Sequence, residues 1–173
     1  MLETLQKVSP PDNGTMGDTW SQSAGNVISW LAGFVDGEGS IGFDKATSKK
    51  DLHYPTITIT NTHLPTIERI ATILSTCGIR FWVSTPNHRN SKWKSYRVVV
   101  IRGLRRVKPF LELIIPYLYT KKEQALKVLE FANYRLSLPP KAPYGDKEKE
   151  MIAALRKLNY RGPSETTRAP QSN

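Results

Sequence analysis

The sequence predicts an α+β domain built on one antiparallel four-stranded sheet. Two observations lead there. Apolar residues recur with helical period and then alternate in two short consecutive runs, and this succession occurs twice before further helices. Lysine and arginine also crowd into the middle of the chain, over the predicted strands. The resulting order, αββαββα, places helices on one sheet face and leaves the other open to solvent or a ligand.

Residues 1–24 contain Pro10, Pro11, Gly14 and Gly17, which break any periodic pattern, and read as a loose arm. A single domain is expected over 25–160, with a polar tail over 161–173. Asn26 can cap a first helix running to Asp36 (NVISWLAGFVD), which is apolar almost all round and so calls for burial on several sides. Gly33 and Gly37 share a face of this helix, where the lack of side chains lets another backbone approach closely. SIGFD (40–44) and YPTITITN (54–61) read as a hairpin, with Ile57 and Ile59 on one face and Thr56, Thr58 and Thr60 on the other.

A helix follows over Leu64–Thr76, where Ile67, Ile70, Ala71 and Leu74 share a side and Gly78 ends it. Cys77, the single cysteine, reads as a small buried hydrophobe and excludes an internal disulfide. Residues 79–84 and 95–101 form the second strand pair, joined by the basic connection TPNHRNSKWK. Residues 102–118 read as helical, with Pro109 and Pro116 limiting continuity. Helices at 121–133 and from a cap at Asp146 to about Leu158 complete the chain.

The net charge is +10, and its distribution carries the argument. Residues 1–39 hold five acids and one lysine, whereas residues 40–110 hold 13 basic and three acidic residues. A cationic field so concentrated suits a polyanion such as double-stranded DNA or RNA. No run approaches 18 apolar residues, so no membrane span is expected, and the N-terminus lacks a basic-then-apolar export signal. P-loop, GxGxxG and zinc-finger patterns are missing.

Residues 31–39 read LAGFVDGEG, which closely resembles the signature of the LAGLIDADG homing endonucleases, and the family-like order of elements continues to about residue 160. The resemblance implies the αββαββα fold and hydrolysis of both strands of a long, nearly palindromic DNA site. One copy of the motif implies a homodimer. It implies divalent metal: Mg²⁺ as cofactor, Mn²⁺ as a substitute, and Ca²⁺ supporting binding without cleavage. Glu38 then matches the metal-binding acid, while Trp30, Gly33, Phe34 and Gly37 fall on the helix that would face a second copy. Asn61 falls where a polar active-site residue is often found, and Lys121, in TKKEQA, matches a lysine near the scissile phosphate. Lys122 competes for that role, because Glu123 replaces the second lysine of the usual pattern. The basic residue expected one turn after Asn61 is missing, leaving His63 or Arg69 as stand-ins. Some proteins of this appearance assist intron RNA splicing instead of, or besides, cutting. Action in the prokaryotic cytoplasm or in an organelle is expected.

The chemistry fits these residue types. Phosphodiester hydrolysis needs an activated water and neutralisation of charge on the phosphoryl oxygens, and carboxylate-bound divalent ions supply both. Asp36 is expected to be structural, accepting hydrogen bonds at the helix end or turn. Base contacts are expected from Lys45, Lys49, Thr56, Thr58, Thr60, Arg80, Trp82, Ser84, Arg97 and Arg102. Lys92, Lys94, Arg105, Arg106 and Lys108 suit phosphate contacts. Trp82 and Trp93 are equally readable as core or loop anchors.

Overall fold

Hydrophobic alternation in the hairpins is realised as a four-stranded antiparallel sheet, seen in a computed structural model that describes residues 16–46, 52–86 and 94–160. In chain order the elements are α1 (Met16–Glu38), β1 (Gly39–Lys45), β2 (His53–Asn61), α2 (Leu64–Thr76), β3 (Trp82–Ser84), β4 (Arg97–Arg102) and α3 (Leu104–Ile114). A 3-10 turn over Ile115–Tyr117 leads to α4 (Lys122–Ser137) and α5 (Asp146–Asn159). The strands lie in the order β1-β2-β4-β3.

The register makes the strands two-faced. Ile41 pairs with Ile57, Ile57 with Ile101, and Ile59 with Val99, and all five are buried. They pack with Leu31 and Val35 of α1, Ile70 and Leu74 of α2, Phe110 and Leu111 of α3, and Val128 of α4 in one core. Phe43 meets Phe131 edge to face, with centroids 4.6 Å apart. The other face carries Ser40, Gly42 and Asp44 from β1, Tyr54, Thr56, Thr58 and Thr60 from β2, Val98, Val100 and Arg102 from β4, and Trp82 and Ser84 from β3. No helix of the described residues is long and apolar enough to cross a membrane.

Several elements differ from the sequence expectation. Helix α1 begins at Met16, ten residues before Asn26, because no proline falls between them to stop it. Asn26 is therefore inside the helix, where its carbonyl accepts the Ser29 hydroxyl at 3.0 Å. Residues 16–24 of the expected arm are thus helical, and the rest of that arm, with the tail after 160, lies outside the described residues. Helix α3 runs unbroken through Pro109, and only Pro116 coincides with a change to 3-10 geometry. Helix α5 is capped one residue earlier than expected, at Gly145, whose N–H donates to Glu148 Oε2 at 2.9 Å.

Cys77 is exposed, not buried. It is the last residue before a Schellman-type ending, in which Ile79 N–H donates to the Leu74 carbonyl (2.9 Å) and Gly78 N–H to that of Ser75 (3.0 Å). Gly78 takes φ +67°, a left-handed geometry, and the reversal turns Ile79 inward and leaves Cys77 outside.

One buried charge sits away from the sheet. Glu148 is 2% exposed and pairs with Arg135 Nη1 at 2.7 Å. Burial pushes the Glu148 carboxyl up, but the Arg135 hydrogen bond and the backbone N–H groups of Gly145 and Glu148 outweigh it, and its pKa lies below the ordinary value.

Candidate active site and nucleic-acid face

Helix α1 ends where the sheet begins, and Gly39 makes that junction possible. A Cβ on Gly39 would stand 2.6 Å from the Val35 carbonyl oxygen, so no other residue lets β1 leave the helix so closely. One side of α1 is buried through Ile28, Leu31, Ala32 and Val35. The opposite side presents Asn26, Ser29, Gly33 and Gly37, all exposed, with Trp30 and Phe34 half-buried along its flank. A Cβ at Gly33 or Gly37 would meet no atom within 4 Å. Packing among the described residues therefore does not require glycine at either position.

Glu38 is the last residue of α1, exposed, with no hydrogen-bond or ion-pair partner among the described residues. Asp36 behaves differently. Its Oδ2 accepts the backbone N–H of Tyr119 at 2.7 Å and its Oδ1 that of Lys121 at 2.8 Å. The expected structural role for Asp36 is realised, as a tie between the helix end and the chain entering α4. Lys121 is the N-cap residue of α4 and half-buried. Its Nζ donates to the Val35 carbonyl at 3.1 Å and also to that of Asp36. The ammonium thus sits on the negative end of the α1 dipole, at the same helix end that carries Glu38. Lys122 is exposed, in the first turn of α4.

Beside this junction lies a cleft of about 360 Å³ lined by Gly39, Ser40, Ile41, Lys121, Gln124, Leu158 and Asn159. Gln124 Oε1 is buried and has no hydrogen-bond partner among the described residues. A buried amide oxygen without a donor costs about 1–3 kcal/mol, and this one sits in the wall of the cleft, out of reach of its solvent. Asn159 donates to the Ile41 carbonyl at 2.9 Å, fastening the end of α5 to the edge of β1. That contact was not foreseen, because nothing local in KLN marks which strand edge the helix covers.

Asn61 ends β2 and its Oδ1 accepts the His63 N–H at 2.7 Å, closing the turn into α2. His63 is the exposed N-cap residue of α2, with Nδ1 2.8 Å from Thr66 Oγ1. Arg69 holds its guanidinium 4.6 Å from the Trp30 ring centroid, which occupies it along α1. Of the two stand-ins, only His63 adjoins Asn61. Among the described residues no three His, Cys, Asp or Glu side chains form a metal-binding group.

The predicted base-reading residues separate by strand parity. Thr58, Thr60, Trp82, Ser84 and Arg102 stand on the open face, as expected. Thr56 shares that face but is 4% exposed, with its hydroxyl donated back to the Tyr54 carbonyl at 3.1 Å, so it is not available for base contact. Lys45 and Arg97 carry the opposite parity, that of Phe43 and Val99, and do not belong to the open face. Trp82 is 38% exposed with the Arg102 guanidinium over its ring, so it is a surface residue and not a core anchor. Arg80 and Lys94 are exposed beside the strands, whereas Lys49, Lys92 and Trp93 lie outside the described residues.

Comparison with known proteins agrees with this geometry. The family profile described as a LAGLIDADG-like domain matches residues 26–115, just over half of the chain. The chain belongs to the LAGLIDADG-like family. No curated protein matches it in sequence. Among solved structures, this LAGLIDADG-like chain resembles the archaeal intron-encoded homing endonuclease I-Vdi141I complexed with DNA, with TM-score 0.60 and 17% identity over 84% of this chain and 89% of that one. It also resembles the homing endonuclease I-CvuI in complex with its target in the presence of calcium, with TM-score 0.59 and 19% identity over 83% and 87%. A third is the meganuclease I-SmaMI bound to uncleaveable DNA, with TM-score 0.55 and 18% identity over 79% of this chain but only 45% of that one. At these identities the likeness concerns the fold, an αββαββα unit with an open sheet face.

Proposed function

We propose that this LAGLIDADG-like protein is a site-specific DNA endonuclease that cuts both strands of a long pseudo-palindromic duplex as a homodimer, using divalent metal. One observation carries the reading. The α1 face through Gly33 and Gly37 is open to a second backbone, and it ends in Glu38, an exposed carboxylate without a partner among the described residues. Two such helices packed through their glycines would bring both Glu38 side chains to the symmetry axis, where each could serve one strand. The chain spans most of I-Vdi141I and I-CvuI but under half of I-SmaMI, which is consistent with one unit of a two-unit assembly.

The donor set fits a hard ion. Glu38 offers a free carboxylate, and no imidazole or thiolate cluster competes among the described residues. Mg²⁺ suits such a site, with Mn²⁺ as a substitute and Ca²⁺ for binding. When bound, the ion would neutralise phosphoryl charge and favour ionisation of water. Glu38 would hold it. Lys121, fixed by the Val35 and Asp36 carbonyls, would place positive charge beside the scissile phosphate without transferring a proton. Asn61 would help position water or phosphate at the strand end. The open sheet face would lie in the major groove, with Thr58, Thr60, Ser84 and Arg102 toward base edges.

Incubating the purified protein with a randomised duplex library and Mg²⁺, then sequencing the broken ends, tests the reading. A single family of near-palindromic sites supports it. Retention of structured RNA with no cut duplex would favour the RNA-binding alternative.

A further inference from the structure

The open face carries an arrangement that the endonuclease reading does not assign. Among the described strand residues of that face, Arg102 is the one cation and Asp44 the one anion. Arg102 ends β4, and Asp44 lies near the end of β1, with β2 between them. Thr56 pairs with both Arg102 and Gly42, so these three form one row, and Asp44 follows two residues beyond Gly42 on the same face. Gly42 raises no side chain in that row. Arg102 reaches across Thr56, and its Nη2 donates to Asp44 Oδ2. On its other flank its Cζ stands 5.5 Å from the Trp82 ring centroid.

The two side chains nevertheless remain 43% and 42% exposed. An ion pair so exposed adds little to stability. An acid on a face that meets a polyanion also weakens general attraction. Its value lies in geometry. Guanidinium is a planar fork with five donors, and engagement of one edge by a carboxylate leaves donors that can address the O6 and N7 acceptors of guanine. Holding the fork from two sides reduces the side-chain freedom lost on binding.

We infer that Asp44 is a positioning residue that, with Trp82, aims Arg102 at a guanine in the major groove and so sets specificity at one position of each half-site. This inference rests on the DNA reading above. The test is a binding selection from a duplex pool randomised at every half-site position, using the full chain, Arg102→Lys, Asp44→Asn, Asp44→Ser and the Asp44→Asn/Arg102→Lys double variant. The wild type should enrich guanine at one position, and Arg102→Lys should lower that preference by about tenfold, within the range for a bidentate base contact. Asp44→Asn and Asp44→Ser should lower preference at the same position, and the double variant should lose no more than Arg102→Lys alone. Affinity for unselected duplex should hold or rise in the Asp44 variants, since a negative charge has gone, an outcome that structural damage would not give. Loss of preference at a different base pair, or an intact guanine preference in both Asp44 variants, overturns the positioning role. A wild type that enriches no duplex overturns the DNA reading itself, so the two failures are distinguishable.

Discussion

The carboxylate of Asp36 accepts the backbone N–H groups of Tyr119 and Lys121, at 2.7 and 2.8 Å, while the Lys121 ammonium returns to the carbonyls of Val35 and Asp36. The end of α1 and the start of α4 are thereby fixed to one another in both directions. Asp36→Ala should lower stability by about 2 kcal/mol, the scale of hydrogen bonds to a charged acceptor, measured by urea unfolding. It should also slow cleavage, because Lys121 loses its anchor. Wild-type stability in this variant would show that the tie contributes nothing.

The glycine face of α1 should hold two copies together before DNA is present. Light scattering at micromolar concentration should give twice the 19.6 kDa chain mass for the wild type. Gly33→Leu should give the monomer mass. The position is exposed and a Cβ there meets no atom of the described residues within 4 Å, so the far-ultraviolet circular dichroism should be unchanged. A wild-type monomer would remove the dimer from the account.

Much of this was legible in the sequence, and the limits are physical. Alternation in YPTITITN puts Ile57 and Ile59 inside and the threonines outside, because strand period is independent of what the strand pairs with. Pairing with neighbours is not local. Thr56 is buried in a row shared with Gly42 and with Arg102, 46 residues away, and the Arg102–Asp44 pair across that row is visible in neither strand alone. Charge alone suggests Lys45 and Arg97 for the DNA face, although each is an odd step from the residues that line it. The LAGFVDGEG segment placed Glu38 at the helix end, whereas the buried oxygen of Gln124 and the fastening of α5 by Asn159 required the assembled helices.

Binding to duplex should fall at least tenfold between roughly 50 and 200 mM salt, a conservative expectation for an interface with several phosphate contacts. The middle of the chain supplies the cations that displace counterions. A filter-binding series that is flat across this range would contradict a cationic interface.

The Arg135–Glu148 pair should shape the acid limb of stability. Glu148 titrates below its ordinary value of 4.5 when folded, so its contribution is present above that value and is lost as pH falls through the lower folded one. Glu148→Gln should flatten the pH dependence of the urea midpoint below about pH 4.5. Arg135→Met should cost about 3–5 kcal/mol near neutral pH by leaving a buried carboxylate unpaired. An unchanged acid limb in Glu148→Gln would mean that the pair is not the titrating element.

The proposed endonuclease depends most directly on Glu38. Glu38→Gln removes an anionic metal ligand while nearly preserving shape, and leaves the glycine face, Lys121 and the open sheet in place. Two copies joined by a flexible linker, with the substitution in one only, should show impaired double-strand cleavage and a shift toward nicking. The decisive measurement is the cleavage rate of the Glu38→Gln homodimer on the selected duplex with Mg²⁺, alongside binding measured with Ca²⁺. Binding at wild-type affinity with cutting slowed by several orders of magnitude is the expected result. Cutting of both strands at the wild-type rate would contradict the account.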